Sequence, residues 1–299
     1  MIPSVFEQEL KDRGIEYKTD FCLKRASTFR IGGVCKCALF PKNEQELVAC
    51  ISLLDDASEK FFVCGRGSNT LFFDGYIDKT VVFTAGVDKV EIDGKTVTAQ
   101  AGAMLMPLCA RLGRVGLGGL EFACGIPASV GGAVYMNAGA HGGAVSDVIT
   151  LTQAYDRKKQ TVEWIRDNCF GYRKSVYSQS STLVCLGAKF ELEYADSDAI
   201  KTKMESLLET RRKSQPLEYP SAGSYFKRPD GDFAGRLIEI SGLKGARIGG
   251  AEVSEKHAGF IINVGEATFE DVTRLEELVK ETVYKKTGVQ LTREVEIVR

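Results

Sequence analysis

The sequence predicts an α+β protein in three units, and three observations carry that reading. Helix-spaced and alternating apolar runs recur in separate blocks over residues 1–85, 86–195 and 196–299. A glycine-dense stretch, GRVGLGGLEFACGIPASVGGAVYMNAGAHGG over residues 113–143, interrupts the middle block and holds ten of the 31 glycines. Ordering glycine costs so much backbone entropy that such a run implies positive φ or a close approach to something, so a ligand-wrapping loop is expected there. Third, 44% hydrophobic and 26% charged residues, with no repeats or low-complexity segments, leave a sizeable core available.

The net charge of −1 provides no basic footprint for nucleic acid and no polybasic patch for an acidic membrane. The opening MIPSVFEQELKDRG lacks the apolar core of a secretory signal, and no apolar run is long enough to span a bilayer. Nine cysteines, odd in number and scattered among apolar neighbours, suit reduced thiols, so a cytoplasmic location is expected. Cys35-Lys36-Cys37 alternates like one face of a strand and lacks the two-residue gap of a zinc knuckle; no metal site is expected.

In chain order, Val5, Phe6 and Leu10 predict a short helix ending at Gly14, and VCKCALF predicts a strand. Residues 44–54 read as a helix, residues 60–64 as a strand entering GRGSNT, and Asp74-Gly75 as a turn. TVVFTAG, KVEID and TVTAQAG are strands, the last two joined at the Gly94-Lys95 turn. Residues 104–112 are helical, and residues 148–154, 161–165 and 182–194 are strands. Ile200, Met204 and Leu207-Leu208 mark a helix with a basic end at Arg211-Arg212-Lys213, which complements the helix dipole. A helix over 233–240, strands over 246–254 and 259–263, a helix capped by Thr268 and Asp271, and a closing strand VQLTREVEIV complete the third unit.

Taken alone, the motifs leave the function open. GRGSNT lacks the lysine and hydroxyl of a Walker loop and the spacing of a dinucleotide fingerprint, so an anion nest and a plain turn both remain. The glycine stretch carries Ser129, Tyr135 and Asn137 but few ionisable groups, which suits backbone contacts to a ligand. His141 reads as a loop histidine without a partner in sequence. PSAGSYF holds two serines without a G-x-S-x-G elbow, and with only His141 and His257 in the chain a hydrolase triad is poorly supported.

The motifs TFRIGG, GRGSNTLFFDG, GLGGLEFACGIPASVGGAVYMNAGAHGG, GYRKSVYS, PSAGSYFKRP, LIEISGLKGARIGGAEVSEKHAGFIIN and LTREVEI occur here in one order, spanning residues 28–296. Together they closely resemble the UDP-N-acetylenolpyruvoylglucosamine reductase family of bacterial peptidoglycan synthesis, in its shorter form. The resemblance implies a two-subdomain FAD-binding fold of the vanillyl-alcohol-oxidase (PCMH) type over 1–85 and 86–195. A C-terminal α+β substrate-binding domain over 196–299 follows, with the last strand allowed to return to the first subdomain.

By the same resemblance, Arg30, Ile31, Gly32, Gly33, Gly65, Arg66, Gly67, Ser68 and Asn69 wrap FAD. So do Gly125, Ile126, Pro127, Ser129, Gly131, Gly132, Asn137, Ala138 and Gly139. NADPH is the implied co-substrate and reduces the flavin, which then passes hydride from N5 to the vinyl carbon of the enolpyruvyl UDP-sugar. Arg173 is the implied carboxylate or enolate partner, Ser224 the proton donor, and Glu294 the assisting acid. Small-molecule partners and a monomer are expected. Two alternatives stay open: another flavin oxidoreductase of this fold acting on an alcohol or sugar, and a nucleotide-binding protein without catalysis.

Overall fold

The computed structural model describes residues 4–299 as two compact units. The first comprises, of the described residues, 4–19, Lys36–Arg66 and Lys79–Arg211, and the second Asp20–Cys35, Gly67–Asp78 and Arg212–Arg299. Residues 20–35 and 67–78, which the linear reading placed with the N-terminal block, therefore cluster with the C-terminal third.

The first unit has two cores. One is built from the helices Ser4–Asp12 and Glu44–Asp56, whose Phe6, Leu10, Leu47, Ile51 and Leu54 pack with Cys37, Leu39 and Val82. Asn43 caps the second helix by accepting from the Glu46 N–H. The strand Val34–Phe40 buries Cys35 and Cys37 completely, as their alternation predicts. Phe61–Cys64 runs parallel to Tyr76–Phe83 and delivers the chain into GRGSN.

The second core of this unit lies against an antiparallel five-stranded sheet in the order Thr161–Ile165, Ile149–Asp156, Leu183–Glu191, Thr96–Gln100, Val90–Asp93. The last two strands pair Asp93 with Thr96 across the Gly94-Lys95 turn, where φ of +59° at Gly94 suits glycine. Leu105, Leu108 and Leu112 of the helix Leu105–Arg114, together with Val130, Ala133 and Val134, fill this core.

In the second unit, Ser221–Ser224, Phe260–Asn263, Ala251–Val253 and Arg247–Ile248 form an antiparallel sheet. What periodicity predicts as one strand over 246–254 is a hairpin of two short strands, because Gly249 takes φ of +53° and turns the chain. The helix Phe269–Thr287 buries Phe269, Val272, Leu275, Val279 and Val283, and its Thr268–Asp271 capping box forms as expected. Such a cap stabilises the helix by about 1 kcal/mol. The closing strand is regular only over Glu296–Val298, which pairs in parallel with Thr70–Phe72. That contact explains why Leu71, Phe29 and Ile31 belong to the same core as the C-terminal helix.

The RIGG motif is demanding for a local reason. Gly33 donates to Phe73 O at 2.8 Å and accepts from Leu23 N at 2.8 Å, and a Cβ there would lie 2.0 Å from Gly75 O and 2.5 Å from Asp74 O. Both obstructions are backbone atoms that no rotamer change can move. Gly33→Ala should therefore destabilise the protein by about 1–3 kcal/mol or more. Urea unfolding of the two proteins checks this, and equal midpoints would refute the packing argument.

One buried charge stands out in this unit. Glu276 is 3% exposed and accepts hydrogen bonds from Tyr225, Arg293 and Lys280. Burial alone would raise its pKa, but the bonds from Lys280, Tyr225 and Arg293 outweigh burial and hold the carboxyl below its ordinary value. Its contribution is complete above the unfolded carboxyl pKa of about 4.3 and is lost as pH falls through the lower folded value. Glu276→Gln should cost about 1–3 kcal/mol at neutral pH, toward the lower figure because Lys280 and Arg293 are partly exposed. The deficit should shrink below about pH 4. Urea midpoints at neutral and acid pH test the sign, and a deficit that grows on acidification would refute it.

Candidate functional site

Within the first unit, the two predicted glycine motifs meet. A Cβ on Gly65 would fall 2.3 Å from Ser129 Oγ, so the turn after Phe61–Cys64 lies against the start of GIPASVGG. Ser129 is 2% exposed and caps the helix Val130–Met136 by accepting from Gly132 N at 3.3 Å. Gly131 is required because its Cβ would meet Ala101 Cβ at 2.9 Å, while its N–H donates to Ala101 O. The stretch over 113–143 is thus not loop throughout: one short helix is embedded in it, seated on the residues after Thr96–Gln100.

Asn137 closes that helix in the left-handed region, with φ of +41°. Its side chain donates to Gly171 O at 3.0 Å and accepts from Ser146 N at 3.1 Å. Ser175 Oγ donates to Tyr135 O at 2.8 Å, a second tie between GYRKS and the same helix. Arg173 is held between these ties, in the tight Gly171–Lys174 turn with φ of +53°. Its guanidinium donates to the carbonyls of Asn137 at 3.4 Å and Gly139 at 3.3 Å, and lies 5.5 Å from the Tyr172 ring centroid. A left-handed non-glycine backbone costs on the order of 1–3 kcal/mol and persists where the surrounding structure over-determines it, here through the ties of Asn137 and Ser175 on either side. The structure therefore brings Arg173, Asn137 and Gly139 together, and Gly65 with Ser129. Ile126, Gly125 and Gly132 are half-buried, Pro127 and Arg66 are exposed, and Ala138 is buried.

Arg211 and Glu121 are the residues that sequence reasoning missed here. A Cβ on Gly125 would lie 2.7 Å from Arg211 Cδ, so the guanidinium packs on the glycine stretch, and burial lowers its pKa. Glu121 Oε1 accepts from Gly119 N at 2.7 Å and Oε2 from Lys203 at 2.8 Å, anchoring the stretch to the helix Ser197–Ser214. Neither contact could be read from spacing, because each joins segments about 80 residues apart in the chain.

The second unit holds the other predicted residues. Gly67 is buried with φ of +59°, and its Cβ would meet Ala26 O at 2.5 Å. Among the described residues the N–H groups of Gly67 and Ser68 have no acceptor. Asn69 donates from its side chain to Glu294 O at 3.2 Å. Arg30 is exposed with φ of +55°, Ile31 is a core side chain, and Gly32 packs beside Leu23 and Phe72.

Ser224 is exposed at the end of Ser221–Ser224. Ser221 pairs with Ile262 and Ser224 with Phe260, so three steps on one strand oppose two on the other: a β-bulge, with φ of +79° at Gly223. The Ala-Gly spacer in PSAGS is what this bulge needs. Glu294 N donates to Tyr225 O at 2.9 Å, so Ser224 and Glu294 lie in adjoining, hydrogen-bonded segments. The histidines do not build a triad with these serines. His141 is exposed on a turn, and His257 accepts from Gly259 N through Nδ1 and packs on Phe260, with burial lowering its pKa.

Comparison with known proteins agrees with this anatomy. Residues 35–163 match the family described as FAD binding domain, and residues 215–298 the one described as UDP-N-acetylenolpyruvoylglucosamine reductase, C-terminal domain. An alkyldihydroxyacetonephosphate synthase structure matches 65% of this chain and 41% of its own, with a TM-score of 0.51 at 16% identity, which is a likeness of fold alone. Fold and domains together define an FAD-containing oxidoreductase of the vanillyl-alcohol-oxidase fold with an added C-terminal α+β domain.

A UDP-N-acetylenolpyruvoylglucosamine reductase of Caldicellulosiruptor bescii is 45% identical over 296 residues, 98% of this chain and 94% of that one. The Streptococcus uberis reductase is 43% identical over 289 residues, covering 95% and 94%. The crystal structure of the Thermus caldophilus reductase superposes with a TM-score of 0.81 at 30% identity, covering 95% of this chain and 99% of that one. The chain belongs to the UDP-N-acetylenolpyruvoylglucosamine reductase family. Among the described residues, no helix is long and apolar enough to cross a membrane.

Proposed function

We propose that the protein reduces UDP-N-acetylenolpyruvoylglucosamine to UDP-N-acetylmuramate at the expense of NADPH, in the cytoplasm, as a step of peptidoglycan precursor synthesis. The observation that carries this reading is the bulged, exposed Ser224 in a segment hydrogen-bonded to that of Glu294, within a chain of this family.

The residues present fit FAD. Gly65 and Gly125 let the backbone pack closely on Ser129 and Arg211, Gly67 and Ser68 carry N–H groups without an acceptor, and Arg211 has no carboxylate partner among the described residues. These groups, with Arg30, Ile31, Gly32, Gly33, Arg66 and Asn69, and with Ile126, Pro127, Ser129, Gly131, Gly132, Asn137, Ala138 and Gly139, would hold the dinucleotide. When bound, FAD supplies the hydride relay between NADPH and substrate.

The chain's own residues then meet two demands. Hydride addition at the terminal vinyl carbon breaks the C=C π bond and moves its electron pair toward the adjacent carbon and the carboxylate. Arg173, a permanent cation with a planar fork, stabilises that carboxylate. Ser224 donates its hydroxyl proton to the adjacent carbon, and Glu294 assists as acid or through a hydrogen-bonded water. A carbon acid–base pair of this kind has no use in alcohol oxidation, which disfavours the alternative flavin oxidoreductase. Functionally, we assign 1–85 and 86–195 to cofactor binding and 196–299 to substrate binding, as one polypeptide acting as a monomer.

Stopped-flow measurement of both half-reactions tests the proposal. Anaerobic NADPH should bleach the flavin of the purified yellow protein, and the enolpyruvyl nucleotide should restore it. Bleaching without restoration would sink the substrate assignment, and colourless protein that takes up no FAD would sink the reading as a whole. The same traces with NADH in place of NADPH decide the nicotinamide preference.

A further inference from the structure

The second unit contains a buried carboxylate that no step above uses. Glu276 lies in the middle of the helix Phe269–Thr287, among Val272, Leu275 and Val279 of the core. Its Oε2 accepts from Tyr225 Oη at 2.8 Å and from Arg293 Nη1 at 3.1 Å, and its Oε1 takes Lys280 and a second contact from Arg293 at 3.3 Å. Two of these three donors adjoin the proposed chemistry in sequence: Tyr225 follows Ser224, and Arg293 precedes Glu294. The backbones of the same two segments are also joined, by Glu294 N to Tyr225 O at 2.9 Å, Lys227 N to Thr292 O at 2.8 Å, and a bridge between Phe226 and Arg293.

A leucine at 276 would serve the core with no desolvation cost, whereas a buried carboxylate is tolerated only when well partnered. What the carboxylate adds is direction. Its two oxygens tie two separate backbone segments to one rigid helix, and a β-bulge such as that at Gly223 re-aims a side chain only if its neighbours are held. We propose that Glu276 is a positioning residue: through Tyr225 and Arg293 it sets the register of Ser224 and Glu294 against each other and so the aim of the proton donor. This rests on the reading of Ser224 as proton donor. Misplacement by about 1 Å costs on the order of 10²-fold in rate, so such a tie has leverage on the reaction.

The test compares wild type, Glu276→Gln, Ser224→Ala and the double variant, all as FAD-loaded enzyme, by stopped flow in both half-reactions. Glu276→Gln should keep flavin reduction by NADPH within about twofold of wild type and lose about 10–100-fold in reoxidation by saturating enolpyruvyl nucleotide. On the Ser224→Ala background the same substitution should cost less than about threefold more, because the group it aims is gone. Equal slowing of both half-reactions, unchanged reoxidation, or a full multiplicative loss in the double variant overturns the positioning role. Should Glu276→Gln fail to hold flavin, Tyr225→Phe removes one donor and keeps the ring. It must then show the oxidative-only loss, and wild-type reoxidation in it overturns the proposal. Wild-type reoxidation in Ser224→Ala alone instead overturns the proton-donor reading, whatever Glu276→Gln does.

Discussion

In Ser224→Ala, NADPH should still bleach the flavin at close to the wild-type rate, while reoxidation by the enolpyruvyl nucleotide should fall by about 10²- to 10⁴-fold. The asymmetry is the point of the experiment. Proton delivery to carbon belongs to the substrate's half of the cycle only, so a proton donor cannot slow hydride transfer from NADPH. The side chain is exposed at a bulge, and its loss removes no core packing, so the variant should unfold at the wild-type urea midpoint. Equal slowing of both half-reactions would assign the serine to cofactor placement and remove it from proton transfer. A secondary check is stereochemical: reduction in deuterated water that is not face-selective at the carbon would point to solvent as the residual acid.

Arg173→Lys should lower the rate of the oxidative half-reaction by about 10²-fold or more and leave flavin content unchanged. Arg173 reaches two different carbonyls with two nitrogens of one planar group, those of Asn137 and Gly139. A lysine ammonium keeps the charge and cannot reproduce that fork. The effect should therefore separate shape from charge, and a lysine variant with wild-type reoxidation would show that a point cation suffices. Because Lys and Arg differ little in their tolerance of the left-handed backbone at this position, φ of +53° is not a confounding factor.

The two expectations became visible in the same way. Ser224, Glu294 and Arg173 are proposed through the family resemblance, and each sits in a short local motif whose residues are adjacent in the chain. Most secondary elements were found for the same reason: an apolar period of 3.6 or 2 is a property of neighbours, and the box of Thr268 and Asp271 spans one helical turn. The strand Glu16–Cys22 escaped because its pattern is largely exposed and polar, with no alternation to signal it. The helix Val130–Met136 escaped because its glycines argue against a helix, and it is held by Ser129, Asn137 and the packing of Gly131 on Ala101. Arg211, Glu121 and Glu276 escaped because nothing in their own surroundings distinguishes them from surface charges; each acquires its meaning from a partner distant in sequence.

The glycine-dense stretch over 113–143 shows where the division falls. By itself the sequence determined the α+β class, the ordering of its elements and the family, since all of these are written in local composition and in the order of motifs. Only the tertiary structure decided why each glycine is there. Gly65 makes room for Ser129, Gly131 for Ala101 and Gly125 for Arg211, and in the second unit Gly33 makes room for the turn at Asp74-Gly75. It also decided that residues 20–35 and 67–78 join the C-terminal core, and that Glu276 ties the segments of Ser224 and Glu294. The physical reason is that steric exclusion and buried charge are properties of pairs brought together by the fold, and a linear pattern holds one member of each pair at a time.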